Sequence, residues 1–193
     1  MKRTRTHYLA SVGLMTALVF VGNIISIPVL FSVGDSSARI HLGNIFCLFA
    51  AYIMGPVGGG IAAGLGGVLY DMTNPVYIAS APFTLVFKFV MGFVCGKIAY
   101  IGKNDGLNLK LNVFAGVSGI AAYMVLYLSR NFIRDLYFRM YEMPVALMNL
   151  GTRTLSSTLS GIIAVAIAVP LGILIRKALE ASDLMDSIRG GNK

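Results

Sequence analysis

Long apolar runs, divided by short polar segments, constrain this chain more than any other feature of its sequence. A membrane-spanning helix needs about 20 consecutive apolar residues. Four runs reach that length, and a further apolar stretch lies between the first two. Only 12% of the 193 residues are charged, whereas soluble domains carry about 25%. The sequence therefore predicts an all-α integral membrane protein, formed by a single domain over 1–193.

The first run follows a basic N-terminus and therefore has the outline of a signal peptide. It extends from Leu9 to Phe31, which is the full length of a membrane span, whereas a signal peptide has a shorter apolar core. We expect this run to be retained as the first helix.

The stretch LGNIFCLFAAYIMGPVGGGIAAGLGGVL is too long for one relaxed span, yet it looks short for two spans with a turn. Pro56 lacks a backbone N–H and disfavours helix at Gly55, and the glycines that follow allow a tight reversal. The stretch is predicted to form two short helices, over 42–54 and 57–70. A re-entrant loop is the main alternative.

Lysine and arginine cluster at the N-terminus, in the 97–110 segment and at the C-terminus. Such residues in short loops concentrate on the cytoplasmic side of a membrane, so these three segments should share one side. An even number of crossings must then separate the first two, which predicts six helices with both termini in the cytoplasm. The predicted helices are 9–31, 42–54, 57–70, 82–101, 111–130 and 143–176, and 177–193 is a cytoplasmic tail.

Motifs typical of enzymes and nucleotide-binding sites are absent from the sequence. There is no GxxxxGK[ST] loop, no HExxH and no GxSxG, and Cys47 and Cys95 have no His or Cys partners at metal spacing. We therefore predict a binding component that is not an enzyme and holds no cofactor or metal ion. Orientation in the membrane explains the net charge of +8, and no nucleic-acid partner is predicted.

Polar residues collect at the outward ends of the predicted helices. Lys88 lies about 9 Å inside its helix and Arg153 about 15 Å inside the last one, at 1.5 Å per residue. A charge near the middle of a bilayer costs about 2.5–3.5 kcal/mol on the insertion scale, so it normally faces a partner or a wet cavity. The predicted substrate-binding residues are Arg39, His41, Asn44, Asp71, Asn74, Tyr77, Lys88, Tyr123, Tyr127, Asn131, Asn149 and Arg153.

Several of these residues have a structural alternative. Lys88 can extend its stem to the outer interface, and Arg153 can hydrogen-bond to a neighbouring helix. His41 can be an ordinary interfacial residue, and Tyr123 and Tyr127 can belong to an aromatic belt instead of stacking on a planar ligand.

Small residues form smooth faces on two helices. In the first helix, Ala10, Gly13 and Ala17 form one such face, which can pack inside the bundle or receive a partner protein. In the last helix, a second stripe recurs every four residues and comprises Thr152, Ser156, Ser160 and Ala164.

The chain resembles the substrate-binding S components of energy-coupling factor (ECF) transporters, which are bacterial vitamin uptake systems. The blocks LGNIFCLFAAYIMGPVGGGIAAGLGGVLYDMTNP and APFTLVFKFVMGFVCGKI carry the resemblance, together with the length and the six-helix architecture. The resemblance implies a high-affinity site near the extracellular side of the bacterial cytoplasmic membrane, covered by the loops between helices 1 and 2 and between helices 3 and 4. Riboflavin, folate, pantothenate and a queuosine precursor are among the candidate ligands.

The same resemblance implies partners. An S component docks on a transmembrane T component driven by two cytoplasmic ATPase subunits, which use the ATP, and topples in the lipid bilayer to release its substrate inside. The family docks through an alanine pair four residues apart in the first helix, which Gly13 and Ala17 match in size but not in identity. Two other functions stay open from the residues alone: a self-sufficient small permease or channel, and a ligand-free structural membrane subunit.

Overall fold

The computed structural model describes residues 2–28, 39–103 and 107–182, and these are almost entirely helical. Five helical stretches in this part are long and apolar enough to cross a membrane, so the predicted all-α membrane fold is confirmed. The helices are α1 (Lys2–Ile24), α2 (Gly43–Thr73), α3 (Ala81–Ala99), α4 (Leu109–Ile133) and α5 (Met143–Ala181). The shorter elements are strands β1 (Ser26–Pro28) and β2 (Arg39–His41), 3₁₀ turns Ile78–Ser80 and Ile101–Lys103, and a π-helical turn Arg134–Phe138.

Helix α2 is interrupted at Gly55, whose φ of 75° and ψ of −167° are not helical. A Cβ atom on Gly59 would overlap the backbone of Ala51, although residues eight apart in a continuous helix are separated by about 12 Å. The two arms, 43–54 and 56–73, therefore fold back against each other. The reversal lies at the GPVGGG segment where the sequence predicts it, because a positive φ suits glycine and Pro56 needs no backbone donor.

Glycines also bring the second arm of α2 against α3. A Cβ atom on Gly92 would lie 2.7 Å from the carbonyl oxygen of Gly59, and one on Gly96 would lie 2.6 Å from the nitrogen of Pro56. The absence of side chains thus allows backbone-to-backbone packing. Gly60, Gly64 and Gly67 likewise face residues of α3 and not the first arm of α2.

The first helix differs from its predicted bounds of 9–31. It begins at Lys2 and ends at Ile24, and the chain then enters β1, which pairs antiparallel with β2 so that Ile27 lies opposite Ile40. Pro28 cannot continue a helix and disfavours helix at the preceding residue. The predicted residues 29–31 lie outside the described part of the chain. At the other end of the chain, α5 continues to Ala181, beyond the predicted 176.

A buried polar cluster lies beside the reversal of α2. Arg176, only 1% exposed, donates hydrogen bonds to the carbonyl oxygen of Tyr52 at 3.2 Å, to the Tyr100 hydroxyl and to Glu180 at 3.0 Å. The Tyr100 hydroxyl in turn donates to the carbonyl oxygens of Tyr52 at 2.6 Å and Ile53 at 3.3 Å. These carbonyls end the first arm of α2, where no further helical turn can supply donors. We call these five residues the Arg176 cluster.

Candidate ligand-binding site

A cavity of about 290 Å³ lies at the end of the bundle where α1 ends and α2 begins. All five helices contribute side chains, and so does the connection between α2 and α3. Its lining comprises Asn23, Asn44, Tyr70, Asp71, Val76, Tyr77, Ser80, Phe83, Thr84, Phe87, Lys88, Tyr123, Tyr127, Arg130, Asn131, Arg134, Arg139, Arg153, Ser156, Ser157 and Ser160. The β1–β2 ribbon begins immediately after α1 and ends immediately before α2, and therefore lies at this same end.

Lys88 is held inside the bundle by Asn23. The Lys88 ammonium donates to Oδ1 of Asn23 at 2.6 Å, and Nδ2 of Asn23 donates to the carbonyl oxygen of Val19 at 2.7 Å. Lys88 is 5% exposed and Asn23 is 2% exposed. Lys88 therefore does not extend to the interface, and its charge faces a neutral amide and the cavity.

Arg153 is paired with the carboxylate of Asp135, which lies in the π-helical turn. Its Nη1 lies 2.5 Å from Oδ2 of Asp135, and Asp135 is completely buried. The Nε of Arg134 lies 3.8 Å from the other carboxylate oxygen. Two cations therefore approach one buried anion at the wall formed by α5 and the turn after α4.

Aromatic side chains form a flat part of the lining. The rings of Tyr123 and Tyr127, one turn apart on α4, stack at 5.6 Å with an interplanar angle of 12°. The Arg130 guanidinium lies 4.4 Å from the ring centre of Phe83 and donates to the Ser80 hydroxyl at 3.2 Å. The cavity therefore offers aromatic faces beside charged donors, which suits a planar polar ligand.

Comparison with known proteins identifies the family. The profile described as "ECF-type riboflavin transporter, S component" matches residues 3–177, which is nearly the whole chain. The chain belongs to this family. Its members are components of membrane transporters rather than enzymes, and the family together with the five apolar helices makes the chain a multi-pass membrane protein.

Two further similarities accompany this assignment. A solved S component of a bacterial ECF transporter has the same fold, with a TM-score of 0.59 and 15% identity, over 89% of this chain and 99% of that one. A segment of 89 residues is 32% identical to an uncharacterized protein of Pyrococcus woesei. That segment is 46% of this chain and 59% of the Pyrococcus protein, so the match spans less than two thirds of that relative's length.

Most of the predicted binding residues of this S component meet at the cavity. Those on its lining are Asn44, Asp71, Tyr77, Lys88, Tyr123, Tyr127, Asn131 and Arg153. Asn74 is not on the lining, and its Oδ1 accepts a hydrogen bond from the Val76 backbone at 3.0 Å in the turn after α2. Asn149 is 1% exposed and is not on the lining. Arg39 and His41 lie on β2, but their side chains are outside the described part.

Sequence reasoning missed several lining residues. Asn23 was not predicted because it lies inside the apolar run that was assigned to a longer first helix. A lone amide in such a run is nevertheless a signal of a polar partner or site. Ser156 and Ser160 were assigned to a packing stripe, yet both are buried on α5 and line the cavity. Arg130 directly precedes the predicted Asn131, so its position at the outward helix end was the available signal.

The predicted docking face of the S component is open. Ala10, Gly13 and Ala17 are all exposed on α1, and a Cβ atom on Gly13 would meet no atom within 4 Å. This small-residue face is therefore not used for packing inside the bundle. Docking through it is still a prediction.

Proposed function

We propose that this S component binds one vitamin-sized micronutrient in the cavity and passes it to an ECF-type ABC importer. The observation that carries the proposal is the convergence of side chains from all five helices on one cavity, within the S-component fold. The family description makes riboflavin the first candidate ligand. Folate, pantothenate and a queuosine precursor are the other candidates.

The size and chemistry of the cavity support a small planar ligand. Its volume of about 290 Å³ is just below the range of about 300–1,000 Å³ that is typical of ligand pockets. The stacked Tyr123 and Tyr127 offer ring faces, and the Lys88 ammonium offers a charge-assisted donor for a ring carbonyl oxygen. A micronutrient with a flat heteroaromatic ring would use both features.

We further propose six crossings, with both termini in the cytoplasm and the cavity on the extracellular side. The two arms of α2 count as separate crossings because the chain reverses at Gly55. Lys97 and Lys110 lie near the ends of α3 and α4 that are remote from the cavity, and basic residues favour the cytoplasmic side. The proposed location is the bacterial cytoplasmic membrane.

Delivery is proposed to need a transmembrane T component and two ATPase subunits. The chain carries no phosphate-binding loop for ATP, so energy must come from partners. The open face of Ala10, Gly13 and Ala17 on α1 supports docking, because small residues let another helix approach closely. The S component would then topple in the bilayer and release its ligand inside.

The test begins with protein purified in detergent from cells grown in rich medium. We expect denaturation to release about one small molecule per chain, which mass spectrometry identifies. Ser156→Phe, which fills the cavity, should abolish the release, whereas Ser129→Phe on the exposed side of α4 should not.

Uptake assays complete the test. We expect membrane vesicles to take up the identified molecule only when the T component and both ATPases are present. An empty protein that binds none of the candidate vitamins, or uptake by the chain alone, would contradict the proposal.

A further inference from the structure

Positive charge exceeds negative charge on the lining of the cavity. The only acidic side chain among the lining residues is Asp71, within the part of the chain that the structure describes. The cationic lining residues are Lys88, Arg130, Arg134, Arg139 and Arg153. Asp135 adds a second carboxylate directly behind the lining.

Both carboxylates are already engaged by side chains of the cavity wall. Asp135 holds Arg153 at 2.5 Å. Asp71 hydrogen-bonds to the Thr84 side chain and interacts electrostatically with Lys88 and Arg130. Among the described residues, two carboxylates therefore face the four cations Lys88, Arg130, Arg134 and Arg153, and the excess positive charge lies at the end of α4 and the turn that follows it.

Arg130 and Arg134 form the centre of this excess. They are one turn apart, and like charges at this spacing repel each other. Arg130 contacts a neutral hydroxyl, on Ser80, and a neutral ring, on Phe83. The Nε of Arg134 is buried and makes no hydrogen bond within the described residues, and its nearest carboxylate oxygen, on Asp135, is 3.8 Å away.

The stacked tyrosines and Arg130 lie on α4, and Arg134 begins the π-helical turn directly after it. Tyr127 and Arg130 both line the cavity, as do Tyr123 and Arg134, so a ring resting on the tyrosines would extend a substituent toward the guanidinium groups. Guanidinium groups bind carboxylate and phosphate oxygens through charge-assisted, often paired hydrogen bonds. An anion between the two arginines would also remove their mutual repulsion.

We propose that the ligand of this S component is a planar aromatic micronutrient with a carboxylate or phosphate group, and that Arg130 and Arg134 bind this anionic group. This inference rests on the proposed function, because it assumes that the cavity holds the transported molecule. It goes beyond the family description, since riboflavin has no ionised group at neutral pH.

Matched pairs of compounds test the charge requirement directly. Ligand-free protein in detergent is titrated by calorimetry with riboflavin and riboflavin 5′-phosphate, with nicotinamide and nicotinate, and with pyridoxal and pyridoxal 5′-phosphate. We expect the anionic member of the pair that binds to bind at least tenfold more tightly than its neutral partner. Added salt should weaken the anionic member more than the neutral one.

Variants assign this preference to the arginine pair. Arg130→Gln and Arg134→Gln should each weaken the anionic member at least tenfold and leave the neutral member within twofold. Lys110→Gln removes an exposed cation at the far end of α4 and is the matched control. Since Arg134 is more enclosed by its neighbours, Arg134→Gln has the greater effect on folding. If it fails to fold, Arg130→Gln alone tests the anion preference.

The outcomes separate this inference from the proposed function. Equal or tighter binding of the neutral member, or an anion preference that survives both variants, would overturn the inference while leaving the S-component function intact. If no pair binds, the charge of the molecule released on denaturation tests the inference. An anionic aromatic molecule supports the inference, and a neutral molecule overturns it. A protein that binds no pair and releases nothing would overturn both proposals.

Discussion

Arg153 of α5 and Asp135 of the π-helical turn form a buried ion pair, with 2.5 Å between Nη1 and Oδ2. Arg153 is 8% exposed and Asp135 is completely buried. The pair joins α5 to the end of α4 and forms part of the cavity wall. Because breaking a buried pair leaves one charge unpaired, it is more costly than replacing both partners by apolar side chains.

Arg153→Met should lower the free energy of unfolding by about 3–5 kcal/mol, because Asp135 loses its closest cation. The double variant Arg153→Met/Asp135→Leu should recover most of this loss. The measurement is unfolding of ligand-free protein in detergent, followed by circular dichroism. Additive losses in the double variant would show that the pair does not carry the stability.

Lys88→Met should weaken ligand binding at least tenfold. It should also cost about 1–3 kcal/mol of stability, since the buried Oδ1 of Asn23 loses its donor. Asn23→Leu/Lys88→Met removes both polar partners and should restore stability without restoring affinity.

The matched control for Lys88 is Lys97→Met, which changes an exposed lysine near the other end of the same helix. Lys97→Met should change neither the ligand affinity nor the stability. Calorimetric titration and thermal unfolding measure the two effects separately, and unchanged affinity in Lys88→Met would remove Lys88 from the binding site.

Apolar run length and proline–glycine chemistry predicted much of the fold. The GPVGGG segment predicted the reversal of α2, because Pro56 and a positive φ at Gly55 are local properties of the sequence. The end of α1 was not predictable in this way. It depends on Ser26–Pro28 finding Arg39–His41 as a strand partner, and that pairing carries little signal in residues that also suit an apolar helix.

The candidate site, like the fold, could be predicted from the sequence only in part. Lys88 and Arg153 were identifiable because a cation deep in an apolar helix needs a partner or a wet cavity. Their partners could not be identified from the sequence, because Asn23 and Asp135 come from other elements and meet these cations only in the folded bundle. Asn149 has the predicted depth on α5, yet it is buried and is not among the residues that line the cavity.

Gly96→Ala should destabilise the protein although alanine favours helix by about 1 kcal/mol over glycine. The added methyl group would lie 2.6 Å from the nitrogen of Pro56, and such overpacking typically costs about 1–3 kcal/mol. Gly151→Ala is the matched control, since nothing lies within 4 Å of its added Cβ atom. Detergent unfolding curves of the two variants should move in opposite directions, and a stabilised Gly96→Ala would contradict the close packing of α2 and α3.

Gly13→Leu should leave ligand binding unchanged and abolish uptake, because the larger side chain would block close approach of a partner helix on α1. Gly13 has no neighbour within 4 Å, so the fold should tolerate the change. Gly151→Leu is an equally open glycine on another helix and should transport normally. Binding is measured on purified protein and uptake in vesicles with the T component and ATPases. Normal uptake by Gly13→Leu would refute docking through this face.

The Arg176 cluster has a consequence for how the protein is assembled during synthesis. The carbonyls of Tyr52 and Ile53 receive hydrogen bonds from Tyr100 and Arg176, which the ribosome adds later. An unpaired carbonyl in apolar surroundings is costly, so the first arm of α2 is incomplete when it enters the membrane. The last helix to be made therefore completes the hydrogen bonding of the first arm of α2, and a chain that stops before α5 should be recognised as unfinished by membrane quality control.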